Sequence, residues 1–230
     1  MDESTTKLIN VAVITGGHEF DVVEFHQLFR TLPGIDAYIQ HLDDFSSSPE
    51  DVRDSYDAVV FYTFLQDEPV DDSPHWAGKP RSAQEHLGKT TQGIVVLHHA
   101  LLAYPNWPEW DEIVGAKGRK NFGYQHDDEL DMVIVDRDHP ITHGLKDFRL
   151  VDESYKMVDA SPENLILITV EHPRSLHTIA WTRMYQKSHV FCYQSGHDHV
   201  TFGDPNFRTI LTRGIKWVAI QERRRGEVKE

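Results

Sequence analysis

The sequence predicts an α/β protein: a three-layer sandwich with a central, mostly parallel sheet and a β-rich elaboration in its second half. Three observations carry this. Through the first half, short apolar runs alternate with helical patterns, the arrangement of parallel βαβ units. Those runs are apolar at nearly every residue, as strands are when helices cover both faces of their sheet. In the second half strand-like runs follow one another with little helix between them, which suits an elaboration that rejoins the parallel sheet.

The elements follow in order. LINVAVIT (8–15), AYIQHL (37–42), DAVVFYT (57–63) and GIVVLH (93–98) are rich in β-branched residues and read as strands. Between the first two, DVVEFHQLFRTL carries Val22, Phe25, Leu28 and Phe29 at helical spacing. PRSAQEHLGK reads as a helix ending near Gly88, and the acidic loop from Gln66 to Lys79 as a mobile cover. A short helix is expected from Pro108, because proline fits the first helical turn. ELDMVIVD (129–136), FRLVDESYKM (148–157), ENLILITV (163–170), LHTIAWT (176–182) and SHVFCYQS (188–195) are the later strands. A closing amphipathic helix, PNFRTILTRGIKWVAIQ, places Phe207, Ile210, Leu211, Ile215 and Val218 on one side.

The chain has 230 residues, 39% hydrophobic and 26% charged, which suits one domain spanning 1–230, with 1–7 and 221–230 as flexible termini. Its formal net charge of −14 disfavours nucleic acid and anionic membranes as partners. The mixed run ERRRGEVKE at the C-terminus reads as a solvated helix end. A single cysteine, Cys192, excludes an intrachain disulfide and a CxxC metal site. The N-terminus MDESTTK lacks the basic and apolar regions of a signal peptide, and no stretch is apolar enough to span a bilayer, so a cytoplasmic protein is expected. Whether it is a homo-oligomer is open.

Three segments share one pattern, an apolar strand followed by glycine or histidine and then nearby polar groups: VITGGHEFD, VVLHHALL and VFCYQSGHDHVTF. Ligands of open α/β sheets bind beyond the carboxyl ends of the strands, so these distant segments can meet at one crevice. There His18, His98, His99 and His197 would gather, with Glu19, Glu153, Asp198 and His199 as neighbours. Imidazoles suit zinc and other divalent metals, and they also serve as general acids and bases near neutrality. The HExxH spacing that would single out a zinc site is absent. So is GxGxxG, and no nucleotide cofactor is expected. His139 and His143 read as loop residues, and Trp107 and Trp110 as packing anchors or, in the loop, as a face for a sugar ring.

TGGHEFD, GIVVLHHA with its tryptophan-containing loop, DHPITHGL, DESYKM, IAWTRMY and VFCYQSGHDHVTF, in this order, resemble the trehalose utilisation ThuA-like family over about residues 8–220. That family resembles class I glutamine amidotransferases in fold. The resemblance therefore implies a flavodoxin-like sheet and sets LHHALL where those enzymes carry their nucleophile elbow. No cysteine stands there, so glutamine hydrolysis, which needs a thiolate, is not expected. GHD at 196–198 falls where the amidotransferase fold has its histidine and acid. The resemblance also implies a disaccharide such as trehalose, or its keto form, as substrate.

On this reading His18, His98 and His197 bind a divalent metal, zinc first, or form a histidine-rich acid/base centre. His98, His99, Glu153, His197 and Asp198 are the catalytic candidates. Glu19, Trp107, Tyr155, Trp181 and His199 would bind substrate. Two rivals stay open: a non-catalytic carbohydrate-binding or regulatory protein on a hydrolase-like scaffold, and a metal storage or sensing protein.

Overall fold

The computed structural model describes residues 7–72 and 74–226. Nine strands among them form one sheet: β1 (Ile9–Gly16), β2 (Ile35–His41), β3 (Ala58–Thr63), β4 (Gly93–Leu97), β5 (Gly123–Ile134), β6 (Phe148–Lys156), β7 (Leu165–Val170), β8 (Thr178–Tyr185) and β9 (Ser188–Tyr193). Their order is β2-β1-β3-β4-β9-β8-β7-β5-β6. The first five in that order pair in parallel, β1 with β2 and β3, β3 with β4, and β4 with β9. The remaining pairings, β8–β9, β7–β8, β5–β7 and β5–β6, are antiparallel.

The expectation of a mostly parallel sheet is thus corrected to a mixed one. The reason lies in the connections. Parallel neighbours need a crossover of a dozen or more residues, usually helical, whereas antiparallel neighbours are joined by short links, and from β5 to β9 no α-helix intervenes. β9 returns from this elaboration to lie beside β4, as the sequence suggested.

The helices are α1 (Val22–Arg30), α2 (Leu42–Ser47), α3 (Glu50–Arg53), α4 (Pro80–Glu85), α5 (Pro108–Val114), α6 (His199–Gly203) and α7 (Pro205–Gly226), with 3₁₀ turns at His75–Ala77 and His98–Leu102. Successive strand residues face opposite sides, and both sides are apolar. Val11, Val13, Val60, Val95 and Leu97 pack with Phe25, Leu28 and Phe29 of α1 and with Phe207, Ile210, Leu211, Ile215 and Val218 of α7. Ala12, Ile14, Phe61, Ile94 and Val96 pack on the other side with Phe45, Trp107, Trp110 and Ile113. These are the three expected layers.

The loop from Gln66 to Lys79 is not a cover over the site. Ala77 is buried, the Lys79 amide bonds the Ser46 carbonyl of α2, and the Asp71 carboxylate accepts the Ser82 amide near the start of α4. α2 and α3 escaped the sequence reading because their six and four residues are too short to display a helical period. No helix among the described residues is long and apolar enough to cross a membrane. Residues 1–6 and 227–230, where part of the flexible-terminus expectation and the end of the ERRRGEVKE run fall, lie outside the described residues.

Candidate functional site

A crevice of about 620 Å³ opens beyond the carboxyl ends of β1, β4 and β9. In this strand order the chain reverses its winding direction between β1 and β3, which is where such sheets leave a gap for ligands. At the end of β1 the backbone turns sharply through Gly17, with φ +78°. A side chain there would press on the Phe64 carbonyl oxygen at 2.5 Å, so only glycine lets β1 and β3 end so close together.

At the end of β4 the turn falls on His98, whose φ of 53° is left-handed, a conformation that costs a non-glycine residue about 1–3 kcal/mol. The following 3₁₀ turn is held from behind by Arg119, which is wholly buried. Its Nη1 donates to the carbonyls of Leu101 and Ala103, each at 2.7 Å, and its Nη2 to that of Tyr104 at 3.2 Å, while Nε pairs with Asp111 at 2.7 Å.

The turn after β9 is fixed differently. Asp152 of β6, buried, accepts the amides of Gly196 at 2.9 Å and His197 at 3.1 Å, and so places the His197 side chain. Its neighbour Glu153 and, two residues on, Tyr155 point to the other face of β6, into the crevice.

The polar groups converge on Glu153. His98 Nε2 lies 3.1 Å from Glu153 Oε2, and His197 Nδ1 lies 3.4 Å from the same oxygen. The Tyr155 hydroxyl lies 2.7 Å from His98 Nε2. His98 Nδ1 lies 2.7 Å from the Gln194 carbonyl oxygen, which can only accept, so Nδ1 carries a proton. Beyond His197, His126 brings Nδ1 to 3.1 Å from His197 Nε2 and 3.5 Å from Glu153 Oε1.

Burial pushes the Glu153 carboxyl up, but the His197 and His98 imidazoles and the Tyr155 hydroxyl outweigh it and hold the carboxyl below the usual range. The same contact with Glu153 raises His197 against the opposing effect of burial. The contact thus favours a carboxylate on Glu153 and a proton on His197.

His99 behaves differently. Burial, then the neighbouring imidazoles of His98 and His18, push it well below its ordinary value, so it is neutral. Its ring lies 4.1 Å from Tyr62 and 4.9 Å from His18, centroid to centroid, and it lines the crevice with both ring nitrogens unpartnered. A buried polar group in this condition calls for a partner.

Of the residues expected from sequence, the structure brings His98, His99, Glu153, Tyr155 and His197 together at the base of the crevice, with His18, Glu19 and Asp198 on its walls. Three assignments change. His18 is not in the cluster that could hold a metal; its ring stacks towards His99, and Glu153 completes the set instead. Asp198 caps α6, its Oδ1 accepting the Val200 amide at 2.9 Å, so that oxygen is committed to structure. His199 is exposed and paired with Asp21 at 2.8 Å, away from the crevice floor.

Trp107 and Trp181 do not line the crevice. Both are buried in the core on the α5 side, and the Trp181 indole donates to the Val114 carbonyl at 2.8 Å. Cys192 is buried too, its thiol pushed up by burial, as an inert residue should be. The sequence reading missed Tyr124, on the first half of β5 before a bulge at Gln125–Asp128, and His126, within that bulge. The left-handed Asp127, φ 57°, marks that bulge, and the only signal for it was a polar stretch, GYQHDD. Phe64, Phe122 and Asp21 also line the crevice unannounced.

The trio His98, Glu153 and His197 fits a divalent metal. Its ligand atoms all lie within 4.8 Å of one another, and a tetrahedral ion with bonds near 2.0–2.1 Å spaces its ligands about 3.3 Å apart, close to the 3.1 and 3.4 Å between Glu153 and the two imidazoles. The His98 Nδ1–H bond to a backbone carbonyl is the usual support of a metal-binding imidazole. A second cluster, Glu50, Asp54 and His86, presents its acids to opposite ring nitrogens, 3.5 and 3.0 Å away, and so reads as ion pairing around one histidine.

Comparison with known proteins agrees with this architecture. A family model described as ThuA, trehalose utilisation, matches residues 18–218. The chain is similar to a structure described as a ThuA-like protein from Parabacteroides merdae, with TM-score 0.72 and 21% identity over 94% of this chain and 91% of that one. A ThuA-like protein from Bacteroides uniformis gives TM-score 0.71 and 17% identity over 95% and 94%. A GMP synthase component from Thermoplasma acidophilum gives TM-score 0.56 and 11% identity over 96% and 98%, a likeness of fold to the amidotransferases. No curated protein sequence matches significantly.

Proposed function

This chain belongs to the ThuA, trehalose utilisation, family, and from that premise we propose that its crevice is an active site for a trehalose-type disaccharide or its 3-keto derivative. The observation that carries the reading is the Glu153–His197 pair, 3.4 Å apart, set beside His98 and Tyr155 at the base of a crevice large enough for a sugar.

The residues divide the work. Glu153 takes a proton from the carbon next to a keto group, and His197 delivers one to the oxygen that gains charge. Elimination and isomerisation of a keto sugar both begin in this way. Tyr155 and His98 hold Glu153 in place. His99, neutral, offers one N–H and one lone pair to sugar hydroxyls, and Phe64, Phe122 and Tyr124 supply ring faces for the apolar side of a pyranose. In the alternative arrangement, with His197 unprotonated, His98, Glu153 and His197 would hold a divalent metal, zinc first, which when bound would supply Lewis-acid polarisation of a carbonyl in place of the proton from His197.

Plain glycoside hydrolysis fits less well, since it needs two carboxylates about the bond and Asp198 is engaged in capping α6. Glutamine hydrolysis does not fit, because the elbow carries His98 and the sole thiol is buried. The substrate is uncharged and small, and the chain would work in the cytoplasm. A non-catalytic carbohydrate-binding protein is the second reading, favoured by the imidazole that stands where the related fold has its nucleophile.

The test combines metal content by plasma mass spectrometry, for the wild type and His98→Ala, His197→Ala and His18→Ala, with NMR of a 3-keto-disaccharide incubated with each. Consumption of the keto sugar that fails in His98→Ala and His197→Ala supports the active site. Metal lost in those two and kept in His18→Ala supports the trio as ligands. Thermal stabilisation by sugar with no chemical change favours the binding protein.

A further inference from the structure

A second hollow, about 310 Å³, lies between the middle of α7 and the turn joining α1 to β2, and shares no lining residue with the crevice. β2 runs parallel to β1 from Ile35 opposite Ile9, so this turn lies at the amino ends of the parallel strands, whereas the crevice lies at their carboxyl ends. Arg208, Thr209, Thr212, Arg213 and Lys216, three or four residues apart on one face of α7, line it together with Thr31.

All three cations are held against backbone or hydroxyl groups rather than acids. Arg208 Nη1 donates to the Phe202 carbonyl at 3.1 Å and Nη2 to the Thr31 hydroxyl. Arg213 Nη1 donates to the carbonyls of His143 at 2.8 Å and Ile141 at 3.3 Å. Lys216 lies against Gly34, whose φ of +78° and missing side chain leave room for the ammonium. Among the described residues none of the three has a carboxylate within ion-pair distance. Glu24 lines an adjoining hollow with Arg208 and forms no pair with it.

In a chain of formal charge −14, three unneutralised cations around one hollow repel one another until an anion enters. A guanidinium has five donors, so each arginine keeps N–H groups free after anchoring, and anchoring leaves little side-chain entropy to lose on binding. The hydroxyls add a second requirement. Thr209 donates to the Pro205 carbonyl and Thr212 to that of Arg208, both at 2.7 Å, so what they offer outwards is lone pairs. Cations ask for a phosphate, and hydroxyl lone pairs ask for a ligand that donates.

We propose that this hollow binds a phosphate monoester on a hydroxylated body, the chemistry of a sugar phosphate. It is independent of the reading of the crevice and stands or falls separately. The same cations could take free phosphate, and the test separates the two sources.

Calorimetric titration of the full chain with inorganic phosphate and with glucose 6-phosphate, at constant ionic strength in chloride, should give saturable binding at one site. Arg213→Gln should weaken it at least tenfold and Lys216→Gln at least fivefold. Because Arg213 also secures the loop at 141–143, Lys216→Gln keeps the test valid if the first variant fails to fold. Tighter binding of glucose 6-phosphate assigns a sugar phosphate, and equal binding assigns phosphate alone, with the site intact in both cases. Absence of saturable binding, or unchanged affinity in Lys216→Gln, overturns the proposal.

Discussion

The parallel half of the sheet, β2-β1-β3-β4-β9, and the antiparallel half, β8-β7-β5-β6, meet at the crevice and give it different things. The parallel half gives turns. Gly17, the left-handed His98 and the 194–197 segment set side chains at strand ends through backbone geometry. The antiparallel half gives side chains along strands, Tyr155 on β6 and Tyr124 on β5 as register partners, and Glu153 on β6 and His126 on β5 at the bulge that follows. Damage to what supports the turns should therefore cost stability, and damage to the register-placed groups should cost chemistry.

The largest effect should come from Arg119→Ala. Removing the guanidinium leaves Asp111 and the carbonyls of Leu101, Ala103 and Tyr104 without a donor, and loss of one partner of a buried pair costs about 3–5 kcal/mol. Urea denaturation reads it directly; a loss below about 1 kcal/mol would mean that the elbow holds itself. Glu153→Gln should act mainly on chemistry, with about a 10²–10⁴-fold loss of keto-sugar turnover, the range for a removed acid or base, and a loss of stability smaller than that of Arg119→Ala, since its depressed carboxyl also contributes stability at neutral pH. A variant that unfolds but keeps its specific activity would erase the distinction.

A third variant sharpens the comparison inside the antiparallel half. Asp128, buried on β5, accepts from the Ser154 hydroxyl at 2.6 Å and from Arg174 Nε at 3.1 Å, and its carboxyl is held below the usual range, first by the Arg174 guanidinium, against burial. A depressed carboxyl contributes stability above its unfolded value, near 3.9, and loses it as pH falls through the lower folded value. Asp128→Asn should therefore cost about 1–3 kcal/mol at neutral pH, the price of unsatisfied buried partners, and its deficit should shrink below about pH 4. Urea midpoints at pH 7 and pH 3 decide it, and a deficit independent of pH would detach the effect from ionisation. Smallest is Trp181→Phe, expected to cost about 1 kcal/mol for the lost indole bond to Val114 while leaving sugar affinity unchanged. A tenfold loss of sugar affinity in thermal-shift titration would return Trp181 to the site.

The same division explains what the sequence made legible. β1, β3 and β4 announced themselves because strands covered on both faces are apolar throughout, and their ends fell within about a residue of expectation, whereas β2 and β9 each missed by two residues at one end. The first half of β5 did not: its leading residues are exposed and carry no alternation, so the expected strand began only at 129 and left Tyr124 and His126 unassigned. Glu153 was legible as chemistry, but its place at the centre was not, because it depends on a register between strands far apart in sequence. Depth was the other blind spot. Trp107 and Trp181 look from composition like the faces a sugar would use, and only packing shows that both are core. His18 sits at the right strand end, yet the direction of its ring is decided by the Gly16–Gly17 turn, which sequence cannot orient.

The left-handed residue at position 98 has one more consequence. The direction in which its side chain leaves the strand is dictated by the backbone and by the buried guanidinium behind it, not by the imidazole. The position works as a socket, in which a thiol, a hydroxyl or an imidazole would project into the same gap. A lineage built on such a socket can exchange one reaction for another at a single codon while its folding problem stays the same.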